Sequence, residues 1–449
     1  MKANKFSNFN FQISIVLCTL SLCTFSCRPQ GDELLSYGQS DAQAFGNAQT
    51  SFAGEFVTFW HAMNENYCIW DYEQELGLDW DEVYDKYLPK FEALDDPNRT
   101  EPVSDEELKA LYSQFTDSLH DGHLAFFIQN LHTGGSIMLV PNQNRNLRER
   151  KQVYTDEKEN ITTLDAYRKA GINPDHRILD YDDVNTPTDE EFASDALRYI
   201  RYALFEGNIA YLRFGGFRLT LFLPEEYRSD DGTPYSEYQN AVYRVWKKWF
   251  DAIQTLHASG QLGGVIIDVR NNTGGIVNDY QYVLGALLPS GGYNSHTMRV
   301  KNGLGRLDFA PYIPFSYPTY PDAHEVVSDR PIVVLANSNS ISMAEMTTWG
   351  VHSQPNGCFI GTRTYGGLSS LSPDQESYSE TYSGVFGVRD VTPIYGYIPK
   401  YVSMYGPDKK ILEGVGITPD IEQALDVNLW QSQGRDSQLE RALDYIKTK

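Results

Sequence analysis

The stretch Val333-Val-Leu-Ala-Asn-Ser-Asn-Ser-Ile-Ser-Met-Ala-Glu-Met346 decides the fold of this chain. Its first part belongs to a short apolar run, Ile332 to Ala336, that predicts a buried strand, and Met343 to His352 predicts a helix. The serine-rich turn between them places Ser342 at a helix N-terminus, where backbone N–H groups and the helix dipole can hold an oxyanion formed during acyl transfer. Ser342 and Glu345 also fit a capping box, which needs no catalytic role.

Strands and helices alternate on both sides of this stretch. Ile209 to Phe214 and Gly264 to Asp268 read as strands, while Val242 to Leu256, Tyr280 to Leu288 and Gln438 to Lys447 read as helices. Such alternation predicts a layered, mixed α/β core with some parallel pairing of strands. We place this core at residues 206–425 and a C-terminal helix at 426–449.

The N-terminal part of the mature chain is predicted to be a helical subdomain, residues 51–132. Apolar residues recur at three- and four-residue steps from Trp80 to Leu94, and Phe52 to Asn64 and Ser104 to Leu119 also read as helices. The unit closes at His120-Asp-Gly-His123, after which Leu124 to Ile128 is strand-like. Residues 133–205 are polar and are expected to form an irregular insert.

Composition and missing motifs exclude several classes of function. A length of 449 residues predicts two or three compact units, and a net charge of -23 disfavours nucleic-acid binding. The sequence has no Walker loop, no Gly-x-Gly-x-x-Gly, no His-Glu-x-x-His and no Gly-x-Ser-x-Gly. His120 and His123 have a spacing that could bind a metal, but the sequence places no third ligand near them. We therefore predict neither a metal nor a cofactor.

The first residues predict export. Lys2 and Lys5 precede an apolar run from Phe11 to Phe25, which is long enough for a signal peptide but short for a membrane span. Ser26-Cys27 resembles the lipobox of a bacterial lipoprotein, so Cys27 is the expected lipidation site. Thr24, three residues before Cys27, departs from the usual leucine and leaves ordinary cleavage as the alternative.

These features predict a lipoprotein-type signal over residues 1–27 and a flexible tether over 28–50. The protein would be held in a bacterial cell envelope, in the periplasm or at the cell surface, by a lipid anchor in the membrane. The mature part keeps two cysteines, Cys68 and Cys358, and their separation leaves open whether they pair or stay as free thiols.

Two glycine-rich segments complete a recognisable set of motifs. Gly263-Gly-Val-Ile-Ile-Asp-Val-Arg-Asn-Asn-Thr-Gly-Gly275 and Gly361-Thr-Arg-Thr-Tyr-Gly-Gly367 flank the serine-rich turn in the chain. In this order, the motifs resemble those of the C-terminal processing peptidases and the tricorn protease core, a family of serine peptidases. The resemblance covers roughly residues 205 to 425 and, more weakly, the helical region that ends at His123.

The resemblance implies roles for individual residues. Ser342 matches the nucleophile, with Ser340 as the alternative register. The lysine that the processing branch uses is replaced by Gly367, whereas His123 and Glu413 match the histidine and glutamate of the tricorn-like branch. The N–H of Met343 and one from Gly274 or Gly275 are the expected oxyanion-hole donors.

The expected function is an exported serine endopeptidase that cleaves peptides or unfolded polypeptides through an acyl-enzyme. Processing peptidases of this family usually carry a PDZ domain where residues 133–205 lie, and this segment does not predict an intact one. His123 could instead be a helix-end histidine and Glu413 a surface carboxylate. The competing function is a catalytically silent surface lipoprotein that binds peptides or glycans.

Overall fold

A computed structural model describes most of the chain from residue 50 onward. The described residues are 50–162, 176–185, 199–223, 237–287, 293–302, 305–317, 329–369, 385–386, 393–399 and 401–449. The predicted signal segment 1–27, with Cys27, and residues 28–49 of the predicted tether lie outside them.

Nine helices and fifteen strands are assigned within the described residues. The helices are α1 (Phe52–Asn66), α2 (Trp70–Glu75), α3 (Trp80–Glu92), α4 (Asp105–Thr116), α5 (Pro141–Thr162), α6 (Glu237–Ala258), α7 (Met343–His352), α8 (Val427–Gln433) and α9 (Ser437–Lys447). The strands are β1 (Ala125–Gln129), β2 (Ser136–Leu139), β3 (Ile178–Asn185), β4 (Tyr199–Phe205), β5 (Ile209–Phe214), β6 (Gly264–Asp268), β7 (Tyr293–Val300), β8 (Ile313–Tyr317), β9 (Ile332–Ala336), β10 (Gly357–Gly361), β11 (Val385–Phe386), β12 (Ile394–Tyr397), β13 (Tyr401–Tyr405), β14 (Lys410–Ile411) and β15 (Ile421–Glu422).

A seven-stranded sheet forms the centre of the core, with the strand order β15-β10-β9-β6-β5-β4-β3. The strands from β15 to β5 pair in parallel, and β4 and β3 add antiparallel strands at one side. Every residue of β5, β6 and β9 is buried, as expected for strands that are covered on both faces. The layered α/β prediction is confirmed, and these three strands have the predicted bounds.

Helices cover the two faces of this sheet. On one face, α6 and α7 contribute Trp246, Trp249 and Met343 to the largest apolar cluster. On the other face, α9 packs Leu439, Leu443 and Ile446 against the strands. The sheet is therefore the middle of three layers, and α7 begins at the sheet edge where β9 ends.

The N-terminal helices form a second core rich in aromatic residues. Polar caps start them: Ser51, Asp79 and Ser104 accept hydrogen bonds from first-turn N–H groups of α1, α3 and α4. Rings such as Phe56, Phe59 and Trp80 are buried between the helices and the sheet of β11, β12, β1 and β2. The predicted helical subdomain is confirmed, and β1 starts two residues after His123.

The segment 133–205 is more regular than the sequence suggested. It contains β2, β3, β4 and the long helix α5, which kinks at Arg150. The prediction of an irregular insert was wrong here because the buried side of α5 carries polar residues, including Asn142, Arg145 and Glu157. These side chains bond to nearby loops, so the helix has no apolar periodicity to detect.

The helix predicted over Tyr280 to Leu288 was also wrong. The chain forms a short 3-10 helix at Val277–Tyr282 followed by turns, and Leu288 lies outside the described residues. The buried carboxylate of Asp279 accepts hydrogen bonds from Leu219 N–H and from the N–H and hydroxyl of Thr220. These bonds tie the segment to the neighbouring 3-10 turn Leu219–Leu221 and hold it in its irregular conformation.

A third sheet, with the strand order β14-β13-β7-β8, completes the described strands. Cys68 and Cys358 are free, buried thiols in different apolar clusters. Among the helices that the structure describes, none combines the length and apolar character needed to cross a membrane.

Candidate active site

Three loops meet at the carboxyl edge of the parallel strands, the edge at which α/β sheets usually bind ligands. They follow β6, β9 and β10, which are neighbours in the sheet. Ile341 N–H donates to the carbonyl of Asn272 at 3.0 Å, and Ser342 N–H donates to the carbonyl of Gly367 at 2.9 Å. The three glycine- and serine-rich motifs of the sequence therefore form one site.

Ser342 sits in an unusual backbone conformation at the N-terminus of α7. Its φ is 59° and its ψ is -121°, a region that residues with a side chain seldom adopt. A Cβ atom on Gly274 would come within 2.6 Å of the Ser342 Cβ, so only glycine fits opposite the serine. Strain of this kind is typical of functional positions, and it holds the half-buried Ser342 in a sharp strand-to-helix turn.

The other serines of the turn have structural partners. The Ser340 hydroxyl donates to the carbonyl of Val269 at 2.8 Å and accepts from Asn337 N–H at 2.9 Å. The Ser338 hydroxyl donates to a Glu157 carboxylate oxygen at 2.6 Å. Both side chains are buried, whereas Ser342 is partly exposed, so the geometry favours Ser342 over Ser340 as the reacting group.

Two backbone N–H groups beside Ser342 suit an oxyanion hole. Met343 is the first residue of α7, and Gly275 follows the glycine that faces Ser342. Within the described part of the chain, neither of these N–H groups donates a hydrogen bond. Gly274 N–H already donates to Asn272 Oδ1 at 2.9 Å, which makes Gly275 the better candidate of the two glycines.

His123 lies on the loop between α4 and β1. Its own N–H donates to Asp121 Oδ1 at 2.8 Å, which fixes a tight turn. The residue as a whole is partly exposed, yet its ring Nδ1 is buried and has no hydrogen-bond partner among the described residues. Burial lowers the pKa of His123 to about 4, so its imidazole is neutral at neutral pH and can accept a proton.

Gly122 brings the histidine loop onto the serine site. A Cβ on Gly122 would lie 2.1 Å from the carbonyl oxygen of Gly366 and 2.2 Å from the Cα of Gly367. The carbonyl of Gly367 in turn accepts from Ser342 N–H. His123 is thus one residue from a close backbone contact with the loop that holds Ser342.

Glu413 is buried rather than on the surface. Its carboxylate accepts hydrogen bonds from Gly122 N–H at 2.8 Å, from Leu368 N–H at 2.6 Å and from Ser369 N–H. Burial, opposed by the hydrogen bond from Gly122, raises the pKa of Glu413 to about 7. One carboxylate oxygen from each of Asp121 and Glu413 and one ring nitrogen of His123 lie within 4.8 Å of one another. That spacing permits a direct hydrogen bond or one bridging water.

The spacing of these three groups would also suit a metal ion, but hydrogen bonds already constrain both carboxylates. Backbone N–H groups already occupy both oxygens of Glu413 and one oxygen of Asp121. His120, the other histidine of the segment, turns away and bonds through Nδ1 to Glu73 at 2.8 Å.

Sequence reasoning assigned Glu345 only to helix capping. Its buried carboxylate also accepts from Thr364 Oγ1 at 2.6 Å, Gly366 N–H at 2.7 Å and Gly367 N–H at 2.6 Å. A weaker bond of 3.3 Å comes from Ser342 N–H. Burial raises the pKa of Glu345 to about 7. Glu345 therefore positions the loop after β10 against Ser342.

A buried ion network fixes the loop after β6. Arg270 is fully buried and bonds to Asp268 Oδ2 at 2.6 Å and to Asp436 Oδ2 at 2.7 Å. Asp436 is the N-cap of α9. The C-terminal helix is thereby attached to the motif that carries Gly274 and Gly275.

Helix α5 holds the loop after β10 from the other side. Arg150 donates to the carbonyls of Arg363 and Thr364, and Asn142 donates to the carbonyl of Tyr365. Sequence reasoning missed these residues, because polar side chains on a polar helix give no pattern that distinguishes a buried face from a solvated one.

Comparison with known proteins finds similar sequences and folds. Residues 208–423 match the family model described as Peptidase family S41. The carboxy-terminal-processing protease of Bartonella bacilliformis is 26% identical over 265 residues, covering 56% of this chain and 49% of that protein. The chain thus spans about half the length of this curated relative.

Two solved structures share the fold. A candidate peptidase from Parabacteroides merdae has a TM-score of 0.55 at 19% identity and covers 88% of this chain and 97% of its own. Mature CPAF in complex with lactacystin has a TM-score of 0.50 at 13% identity, covering 90% and 98%. Residues 208–423, just under half of the chain, thus match Peptidase family S41, and the chain is similar to a carboxy-terminal-processing protease in sequence and to these solved structures in fold.

Proposed function

We propose that this chain is a serine endopeptidase that hydrolyses peptides or unfolded polypeptides through an acyl-enzyme on Ser342. The observation that carries the proposal is the strained turn of Ser342, which faces Gly274 and lies beside the N–H group of Met343. A nucleophile and an oxyanion donor on the same turn are what acyl transfer requires.

The proposed reaction starts from a neutral His123 imidazole and a protonated Ser342 hydroxyl. Neutral His123 takes the proton of the Ser342 hydroxyl as its oxygen attacks the carbonyl carbon of the scissile peptide bond. The N–H groups of Met343 and Gly275 hold the resulting oxyanion, a role for which one donor is typically worth about 100-fold or more in rate. His123 then gives its proton to the leaving amine, and water removes the acyl group by the reverse sequence.

Glu413 supports the histidine. Its carboxylate lies close enough to stabilise the imidazolium that forms on proton transfer, directly or through a water molecule. Its hydrogen bonds from Gly122, Leu368 and Ser369 hold it in place between the histidine loop and the loop after β10. Glu413 is thus a positioning and electrostatic residue in this mechanism.

We base the proposed substrate class on the sequence, in which we find no segment that predicts recognition of a particular chain end. The relative from Bartonella bacilliformis is a carboxy-terminal-processing protease. Residues 133–205 of this chain do not predict the PDZ domain with which such enzymes capture chain ends. We therefore propose cleavage of exposed or unfolded segments without a requirement for a free C-terminus.

The location is likewise a proposal from sequence. The apolar run from Phe11 to Phe25 and the Ser26-Cys27 pair support export and lipidation at Cys27. A tether over residues 28–50 would let the enzyme stand away from the membrane surface.

Cleavage of a reduced and alkylated protein, followed by mass spectrometry, tests the activity. Ser342→Ala should abolish cleavage. Ser340→Ala is the matched control because it removes a hydroxyl two residues away; it should cost about 1 to 2 kcal/mol of stability and keep most of the activity. Equal loss in both variants, or cleavage by Ser342→Ala, would refute the assignment.

A further inference from the structure

We propose that Asp121 is a second carboxyl group of the active site, and that it shares one negative charge with Glu413 beside His123. This inference rests on the proposed peptidase function. It makes Asp121 a positioning residue that acts through His123, and it predicts that either carboxyl can partly replace the other.

The geometry of Asp121 gives its two oxygens different surroundings. Oδ1 accepts from His123 N–H at 2.8 Å and from Leu124 N–H at 3.1 Å, so it forms the turn that aims the histidine. Oδ2 is buried and has no hydrogen-bond partner among the described residues. A buried carboxylate oxygen is seldom left unpaired, which indicates that Oδ2 faces another group of the cluster.

The histidine of the same turn also has an unpaired ring atom. His123 Nδ1 is also buried and without a partner in the described part of the chain. One carboxylate oxygen of Asp121, one of Glu413 and one ring nitrogen of His123 lie within 4.8 Å of one another. The two carboxyl groups therefore reach the imidazole from different loops, one before β1 and the other after β14.

Two carboxylates this close in a buried site do not both ionise readily. Asp121 is completely buried and Glu413 is only 1% exposed, so water screens their repulsion little. Burial and the neighbouring Glu413 raise the pKa of Asp121 well above its usual value, and burial raises that of Glu413. The pair then carries one proton and one charge, as coupled carboxyl pairs do.

The other acidic groups nearby strengthen this pairing. Glu73, bonded to His120, and Glu345, bonded to the loop after β10, add negative potential around the two carboxyls. Burial and, to a smaller extent, the charge of Asp121 raise the pKa of the Tyr67 hydroxyl and of the Cys68 thiol, so neither group adds a compensating positive charge. A single charge is therefore favoured over two, and it lies where the imidazolium forms.

A double-mutant cycle tests this sharing. Asp121→Asn keeps the Oδ1 acceptor of the turn and fixes a neutral group at Oδ2, while Glu413→Ala removes the other carboxyl and leaves room for water. Each single variant should lower kcat by about 10-fold, with KM within about twofold. The double variant should lose about 1000-fold or more, well beyond the product of the single losses, because no carboxylate then remains beside His123.

The control for this cycle is Glu73→Gln. Glu73 is buried in the same region but bonds to His120 rather than to His123. Because Glu73 acts on Asp121 through its charge alone, its effect should come close to multiplying with that of Asp121→Asn, without the excess loss seen with Glu413→Ala. Thermal unfolding checks that each variant is folded, and Glu413→Gln replaces Glu413→Ala if the latter does not fold.

The outcomes separate the two proposals. A double variant that equals the product of the singles would show that Asp121 only shapes the turn, and would overturn the sharing of charge. A 1000-fold loss in Asp121→Asn alone would also overturn it, because Glu413 could then not compensate. If the unmodified chain neither cleaves substrate nor reacts with a fluorophosphonate, the proposed function itself fails.

Discussion

Gly274 lies so close to Ser342 that a Cβ atom on the glycine would come within 2.6 Å of the Cβ of the serine. The same added atom would approach the Met343 nitrogen to 2.9 Å. The loop after β6 therefore packs directly on the nucleophile and on one expected oxyanion donor. Its exact fit sets the geometry of the reaction.

Replacement of Gly274 should damage catalysis more than stability. Gly274→Ala must push Ser342 or Met343 away, and a displacement of about 1 Å at reacting atoms costs about 100-fold in rate. We expect kcat to fall by at least about that factor. Gly77→Ala is the matched control, because Gly77 has a similar φ of 92° against 88° but no atom near an added Cβ. Similar activity losses in both variants would contradict a specific role for the Gly274 contact.

The pH profile should report Glu413 rather than His123. The sequence alone predicts loss of rate through about pH 6 to 7, from a histidine with its ordinary pKa near 6.5. In the structure, burial lowers the pKa of His123 to about 4 and raises that of Glu413 to about 7. The base thus stays neutral down to about pH 4, while the glutamate loses its charge as the pH falls through about 7.

We therefore expect kcat/KM to fall with a midpoint near pH 7 as the solution is acidified. In Glu413→Ala this midpoint should move to higher pH, because the charge then rests on Asp121, whose pKa burial raises well above its usual value, and no protonated partner remains to donate a hydrogen bond to it. A midpoint that is the same in both proteins would assign the titration to another group.

A lysine at position 367, where the processing branch carries its lysine, should not replace His123 as the base. His123→Ala should lose about 1000-fold or more in kcat. Gly367→Lys in that background should not restore activity, because a Cβ at Gly367 would already lie 3.2 Å from Ile341 Cγ2 and 3.4 Å from the Gly122 backbone. Full activity of His123→Ala in a cleavage assay would disprove the histidine base.

Membrane attachment should depend on Cys27. If Cys27 carries the lipid, Cys27→Ser moves the protein from the detergent phase to the aqueous phase or leaves its signal segment uncleaved. Phase separation in a mild detergent followed by immunoblotting measures this. Cys68→Ser is a suitable control, because Cys68 is a buried free thiol. Unchanged partitioning of Cys27→Ser would remove the lipid anchor from the account.

The sequence predicted the parts of the fold whose signal is apolar. The strands Ile209–Phe214, Gly264–Asp268 and Ile332–Ala336 have the expected bounds because each is a short run buried on both faces. Helix α7 is likewise found as expected. Helix α5 was missed because its buried side chains pair with loops instead of packing in an apolar core.

The site likewise contains residues that a local sequence pattern identifies and residues that no such pattern identifies. Ser342, His123 and Glu413 were identified from motifs, and the structure brings their loops together. Asp121 was not recognised as part of the site because its bonds to His123 N–H and Leu124 N–H are those of an ordinary tight turn. Glu345 was not recognised because Gly366 N–H and Gly367 N–H, which bond to it, lie far along the chain. Contacts of that kind depend on the folded path of the loops and leave no local pattern.

The most direct test of the central claim is the site of covalent labelling by a fluorophosphonate, mapped by mass spectrometry of the digested adduct. We expect one adduct, on Ser342, that is absent in Ser342→Ala and still forms in Ser340→Ala. An adduct on Ser340 or Ser338, or a folded protein in which no serine reacts, would contradict it.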